Sequence, residues 1–312
     1  MSISIYRTSD AWWAGTADTA AKIDTVATTT AQLIADRAAV ERAASNAETV
    51  AVDSLNLLSP VTAPCRVIAQ MTNFASHVKD TGGDPNKVPL TFFRKASGSI
   101  AGPVDDIVKP KHVRLLDYEV EIGLVVGREI PVGTGVTADT LADYVCGLVL
   151  TNDVSARDVQ LTKTQFYEAK SYPTFTPVGP ALVLLDAGEL SRFGDLRLTL
   201  QVNGEMRQKS TVGTDMIYRP AESLTGLARF QRLSPGDLLL TGTPVGTALS
   251  APPKAIQKIS SLLPDEVKWK IFFSGQAKNT KYLHDGDVVE ASVATGDGAI
   301  KLGTQRNVVR RA

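Results

Sequence analysis

The residues of this 312-residue chain that are most able to do chemistry are acids, and they are grouped. In Leu116-Asp117-Tyr118-Glu119-Val120-Glu121-Ile122-Gly123, a strand's period of two sends Asp117, Glu119 and Glu121 to one face and Tyr118, Val120 and Ile122 to the other. Carboxylates this close repel one another unless a cation sits among them. Two readings follow: a divalent-metal site built on oxygen ligands, or a solvated edge strand with a polar outer face. A second group, Val149-Leu150-Thr151-Asn152-Asp153-Val154-Ser155-Ala156-Arg157-Asp158, sets an acid directly after an apolar run. Asp153 there is a candidate third oxygen ligand, or else an N-cap for the turn that follows. Lys170, within Phe166-Tyr167-Glu168-Ala169-Lys170-Ser171-Tyr172-Pro173, is either a solvated side chain or an ammonium that pairs with a ligand acid or holds a substrate oxyanion. In Leu239-Leu240-Thr241-Gly242-Thr243-Pro244-Val245-Gly246 the glycines permit close backbone approach and the hydroxyls offer contacts to an anion; the alternative is a simple turn.

The elements that must position these groups are mostly short β-type runs punctuated by Gly and Pro: 91–93, 119–126, 145–150, 181–185, 196–202, 238–241, 288–293 and 307–310. Asn203-Gly204 between two such runs predicts a type I′ hairpin. Helical patterning is weaker, at 137–144, 221–230 and around Pro253–Leu263. The stretch from Thr16 to Val52 is rich in Ala and Thr, contains neither Gly nor Pro, and carries helical spacing over Leu33–Arg42. The expected fold class is therefore mixed α/β, mostly β. A small N-terminal α/β cap over 1–63 ends at the turn-rich Leu58–Pro64, and the chemistry lies in a domain over 64–312.

Composition removes several function classes. The 33 Lys and Arg cancel the 33 Asp and Glu, so no global field draws nucleic acid or an anionic membrane surface. Cys65, Cys146, His77, His112 and His284 are the only cysteines and histidines, which leaves no disulfide framework and no Cys-rich zinc site. Any metal here must be held mainly by carboxylates. No apolar run approaches the roughly 18 residues of a membrane span, and the N-terminus lacks a signal-peptide pattern, so a cytoplasmic protein is expected. There is no glycine-rich nucleotide fingerprint.

Taken in order, Asp117-Tyr118-Glu119-Val120-Glu121, Asn152 through Asp158, Ala169-Lys170, Val202-Asn203-Gly204-Glu205 and Thr241-Gly242-Thr243-Pro244 resemble the fumarylacetoacetate hydrolase (FAH) superfamily. The resemblance covers about 58–248 and resumes at Asp285-Gly286-Asp287. It implies a β-roll around a metal-bearing cavity, usually in a homodimer, with Glu119, Glu121 and Asp153 as ligands for Mg2+ or Mn2+. It also implies that Arg157, Gln160, Lys170 and Thr243 contact substrate oxygens or the ligand shell. The family's lid carries a His-x-x-Glu pair; Asn73-Phe74-Ala75-Ser76-His77-Val78-Lys79-Asp80 keeps the histidine and puts Asp80 in place of the glutamate. The segment 249–283, with Trp269 and Phe272-Phe273, is an insertion relative to compact members.

That resemblance implies a substrate with two chelating oxygens, a 2-oxo acid or a 1,3-diketone. The leading expectation is hydrolytic carbon–carbon cleavage of an acylpyruvate-type compound. His77, oriented by Asp80, activates water, and Lys170 stabilises the enolate. Decarboxylation of an oxaloacetate-like acid, or hydration or isomerisation of an unsaturated 2-oxo acid, uses the same scaffold. A non-catalytic, metal-stabilised interaction protein is the reading of a different class. Pocket walls are expected near Phe74, Phe92, Phe93, Arg94 and Tyr172.

Overall fold

The computed structural model describes residues 2–163, 165–250 and 264–312. Its centre is a large, mostly antiparallel sheet in which Val145–Asn152, Val120–Val126 and Leu238–Leu240 lie side by side. Leu238–Leu240 pairs in parallel with Val67–Gln70, which pairs in turn with Phe92–Lys95. On the other flank Thr176–Leu184 joins Val145–Asn152. All seven residues of Val120–Val126 are buried, as a strand paired on both edges and covered on both faces requires. The polar edge-strand reading of this segment is thereby excluded.

A second sheet runs in the order Glu205–Thr211, Leu196–Val202, Val288–Thr295, Lys301–Arg311 and Ile107–Lys109. Leu196–Val202 alternates buried and exposed residues, since one face lies on the core and the other on solvent. The turn to Glu205–Thr211 holds Asn203 at φ 53° and Gly204 at φ 78°, the two left-handed residues of the expected type I′ hairpin. Gln305 crosses between the sheets, its Nε2 donating to the carbonyls of Leu150 and Gly179.

The N-terminal residues do not stand beside this body as a cap. Ile3–Arg7 hydrogen-bonds to Thr176–Leu184, and Trp12–Gly15, Thr19–Lys22 and Val50–Ala51 continue the same large sheet. Ile5, Trp12 and Leu33 share a buried cluster with Val125 and Val149. The expected helix over 33–42 is divided at Asp36 into Thr30–Ala35 and Arg37–Ala44. The helix expected at 221–230 spans Pro220–Ala228, its proline in the first turn where the missing N–H costs nothing. That expected at 137–144 is confined to Leu141–Tyr144. The one expected over Pro253–Leu263 lies outside the described residues. Asp265–Gln276 is helical, and Trp269 stacks on Phe273 one turn away with ring centroids 5.6 Å apart. Among the described residues no helix is long and apolar enough to cross a membrane.

Candidate active site

The acid-bearing segment is not one continuous strand. Leu116–Asp117 pairs with Ser155–Ala156 in a separate two-stranded ladder, and the central strand begins only at Val120. Glu119 sits in the break. Its backbone N–H donates to Asn152 Oδ1 at 2.9 Å, and its carbonyl accepts from the Asp153 N–H at 2.8 Å. These bonds stitch the two acid-bearing segments together, so Glu119, Glu121 and Asp153 converge with one oxygen from each within 4.8 Å of the others. Asp117 is the exception to the expected common face. It accepts N–H groups from Tyr118, Ala248 and Leu249 and pairs with Arg157.

Three buried cations serve this cluster. Arg157 donates to Asp117 at 2.8 Å, to Glu119 at 2.5 Å and to Gln160 at 2.8 Å. Lys170 Nζ lies 2.7 Å from Glu119 and 2.7 Å from Asp153. Lys95, which the sequence reading missed, is 1% exposed, bonds Asp153 and donates to the Phe175 carbonyl at 2.9 Å. Burial alone would raise the Glu119 carboxyl, but Lys170 and Arg157 override it and hold it at about 2. Glu121 has no cationic partner among the described residues. Burial first, then the charges of Asp153 and Glu119, push its carboxyl well above the ordinary range, although the Gly242 N–H donates to it at 2.6 Å. Gly242 has φ 91°, and a Cβ there would come within 2.8 Å of the Asn73 Cβ, so the close approach that delivers this N–H needs glycine.

The four acids Asp117, Glu119, Glu121 and Asp153 thus face the three cations Arg157, Lys170 and Lys95. One carboxyl, that of Glu121, is left without a cationic partner among the described residues. A hard divalent cation fits this donor set: all three converging ligand atoms are carboxylate oxygens, and their spacing is close to that of one coordination shell.

Above the cluster is a cavity of about 210 Å³, lined among others by Gln70, His77, Phe93, Gln160, Leu161, Phe166, Thr243 and Leu249. The fumarylacetoacetate (FAA) hydrolase C-terminal family matches residues 66–310, which contain every one of these groups. The chain belongs to the fumarylacetoacetate hydrolase family. A rat protein, mitochondrial oxaloacetate tautomerase Fahd2a, is 35% identical over 218 residues, covering 70% of this chain and 66% of the relative. This chain therefore matches just under two thirds of that relative's length. Human mitochondrial oxaloacetate tautomerase FAHD2A is 33% identical over 219 residues, again 70% of this chain and 66% of the relative. Of solved structures, a probable 2-hydroxyhepta-2,4-diene-1,7-dioate isomerase from Mycobacterium abscessus aligns with TM-score 0.75 at 30% identity, covering 100% of this chain and 99% of the other. The fumarylacetoacetate hydrolase of Exiguobacterium antarcticum aligns with TM-score 0.73 at 25% identity over 100% of both chains.

In this family member the structure gathers most of the residues singled out by sequence. Glu119, Glu121, Asp153, Arg157, Gln160, Lys170, Thr243 and His77 all line the one cavity. Asp80, Phe74 and Tyr172 are not in its wall. His77 lies on the short helix Ala75–Asp80, but its Nδ1 is buried without a hydrogen-bond partner, and Asp80 makes no bond to the ring. The helix ends at Asp80, and the next residue, Thr81, takes the place beside the cavity with its hydroxyl donated to the His77 carbonyl. Phe74 is fully buried in the main core. The Tyr172 hydroxyl is committed elsewhere, donating to Glu168 at 3.0 Å and lying 2.8 Å from His112 Nε2. Phe93 does reach the cavity, edge-on to Phe166 and 5.5 Å beneath Lys170 Nζ. Burial lowers the His77 ring below its ordinary value, with Glu119 opposing and Arg157 assisting, so the imidazole is neutral at pH 7.

Proposed function

We propose that this protein is a divalent-metal-dependent enzyme, taking Mg2+ or Mn2+, that transfers a proton on a compact 2-oxo acid. The reaction interconverts keto and enol forms or shifts an adjacent double bond. The observation that carries this reading is the neutral, acid-free His77 in the wall of a small cavity whose floor is the three-carboxylate cluster. Hydrolytic carbon–carbon cleavage, the leading expectation from sequence, relied on an acid to orient His77 for water activation, and Asp80 does not supply it. Proton transfer needs only a base within reach of the substrate carbon.

A cation bound by Glu119, Glu121 and Asp153 would polarise the substrate's chelating oxygens and favour the enolate. The protein groups do the rest. Arg157 and Lys170 hold Glu119 with one cation on each oxygen, which fixes its direction. Lys170 also brings positive charge to where negative charge develops. The His77 imidazole takes the proton and returns it. Phe93, Leu161 and Phe166 keep water from the site. The volume of about 210 Å³ lies below the roughly 300 Å³ at which drug-sized pockets begin, which favours a short acid. The names of the rat and Mycobacterium abscessus proteins, a tautomerase and a probable isomerase, point the same way.

The test is direct. Protein supplied with Mg2+ or Mn2+ is given oxaloacetate, with enol absorbance and carbon dioxide release followed together, and acylpyruvates are assayed in parallel. The expected result is metal-dependent enol–keto interconversion without gas or acid fragments. Faster acylpyruvate cleavage would return the assignment to hydrolysis.

A further inference from the structure

Gln70 is the last residue of the strand Val67–Gln70, is 2% exposed, and lines the cavity. Its Oε1 accepts a hydrogen bond from Ser223 Oγ at 2.6 Å. Ser223 is itself buried on the helix Pro220–Ala228, so this contact ties one end of the amide to that helix. The other end, Nε2, is sealed from bulk solvent and has no hydrogen-bond partner. A buried donor without an acceptor is costly to keep, and such a group calls for a partner.

The charged donors and the Gly242 N–H around the cavity are already committed. Arg157 is shared among Asp117, Glu119 and Gln160; Lys170 serves Glu119 and Asp153; Lys95 serves Asp153 and a carbonyl; the Gly242 N–H serves Glu121. A 2-oxo acid chelated at the carboxylate cluster uses its carboxylate and keto oxygens there. If it has a second carboxylate, that group needs a donor elsewhere in the wall, and Gln70 Nε2 is buried and unpartnered.

We propose that Gln70 selects 2-oxo dicarboxylates by donating from Nε2 to the substrate carboxylate remote from the metal cluster. This rests on the 2-oxo acid reading above and names the subclass that the site takes. A neutral amide suits the role, because it binds an anion without adding a fourth cation that would compete with the metal for the carboxylates.

The experiment uses the full chain with Mn2+ and compares wild type with Gln70→Met, which keeps the volume and removes the donor, and with Gln70→Glu, which places an acid against the substrate. Binding is read from metal-dependent thermal shifts with oxaloacetate and with pyruvate, which lacks the remote carboxylate; KM and kcat are measured for oxaloacetate. Gln70→Met is expected to weaken oxaloacetate about 10–100-fold in KM with kcat changed only a few-fold, and to leave the pyruvate response intact. Gln70→Glu is expected to weaken oxaloacetate further. Equal losses for both acids, or no loss for either, overturn the assignment. If Gln70→Met fails to fold, Gln70→Asn, which withdraws the amide by one methylene, carries the same comparison. A wild-type protein that responds to neither acid overturns the 2-oxo acid reading, and this assignment with it.

Discussion

Arg157 and Asp117 meet through Nε and Oδ2 at 2.8 Å, both fully enclosed, and this pair is the brace behind the acidic cluster rather than part of it. Asp117 also receives the N–H groups of Ala248 and Leu249, so it anchors the chain leaving the Thr241–Gly246 loop. Replacing it leaves a buried guanidinium short of one partner and frees three amides, those of Tyr118, Ala248 and Leu249. Asp117→Ala should cost about 3–5 kcal/mol of stability in denaturant titration, the range for breaking a buried pair. A loss below 1 kcal/mol would show that the brace does not bear on the fold.

Glu121→Gln should behave in the opposite way. In the metal-free protein the raised Glu121 carboxyl means that the folded chain holds a proton which the unfolded chain gives up, so stability falls as pH rises above the ordinary carboxylate value. The amide removes that term and keeps an acceptor for the Gly242 N–H. The expected variant is as stable as metal-free wild type or more so at pH 7, gains no thermal midpoint from Mg2+ or Mn2+, and loses more than about 100-fold in kcat/KM. In wild type, metal binding should release a proton, seen as a calorimetric enthalpy that changes with the buffer's ionisation enthalpy.

His77 gives a second pH signature. Because burial lowers its folded value, the unfolded chain binds the extra proton first as pH falls. Its contribution is complete above about pH 6.5 and declines below that, with a slope of at most about 1.4 kcal/mol per pH unit. The difference in stability between wild type and His77→Gln should therefore vary with pH below 6.5 and be flat above it. A difference independent of pH would mean that the ring is not held neutral.

Cys65 and Cys146 should be inert. Burial raises both thiols to about 12, with Asp237 adding to the effect at Cys65. At pH 8 only about one molecule in 10,000 then carries a thiolate at either position. Native protein should resist a thiol-specific chromogenic reagent for hours and titrate two thiols once unfolded. Rapid labelling of the native form would contradict the raised thiols of these half-buried residues.

Much of the site was legible because acids cannot crowd without a reason. The spacing of Glu119 and Glu121 and the position of Asp153 after an apolar strand are local patterns with a local physical cost, and Asn203-Gly204 is a turn written in two residues. Lys95 and Gln70 were not legible. Each ends an ordinary-looking apolar segment, Phe92-Phe93-Arg94-Lys95 or Val67-Ile68-Ala69-Gln70, and reaches the site only through the pairing of these strands with each other and with Leu238–Leu240. The break between Asp117 and Val120 was hidden for a similar reason. Period two describes an unbroken strand, and the kink comes from Ser155–Ala156 claiming Asp117 in its own ladder. Asp80 misled because it stands where the family's lid has its glutamate, while the helix stops there and the chain turns away.

The parallel pairing of Leu238–Leu240 with Val67–Gln70, two strands some 170 residues apart, has a consequence for synthesis. A ribosome that has delivered everything through Lys170 has made all three carboxylates and their cations, yet Glu121 still lacks the Gly242 N–H and the strand that seals its edge. The nascent chain therefore carries its most repulsive charges for about seventy further residues before the sheet can close. The Glu121 carboxyl thus stays short of its backbone donor until Gly242 has been made.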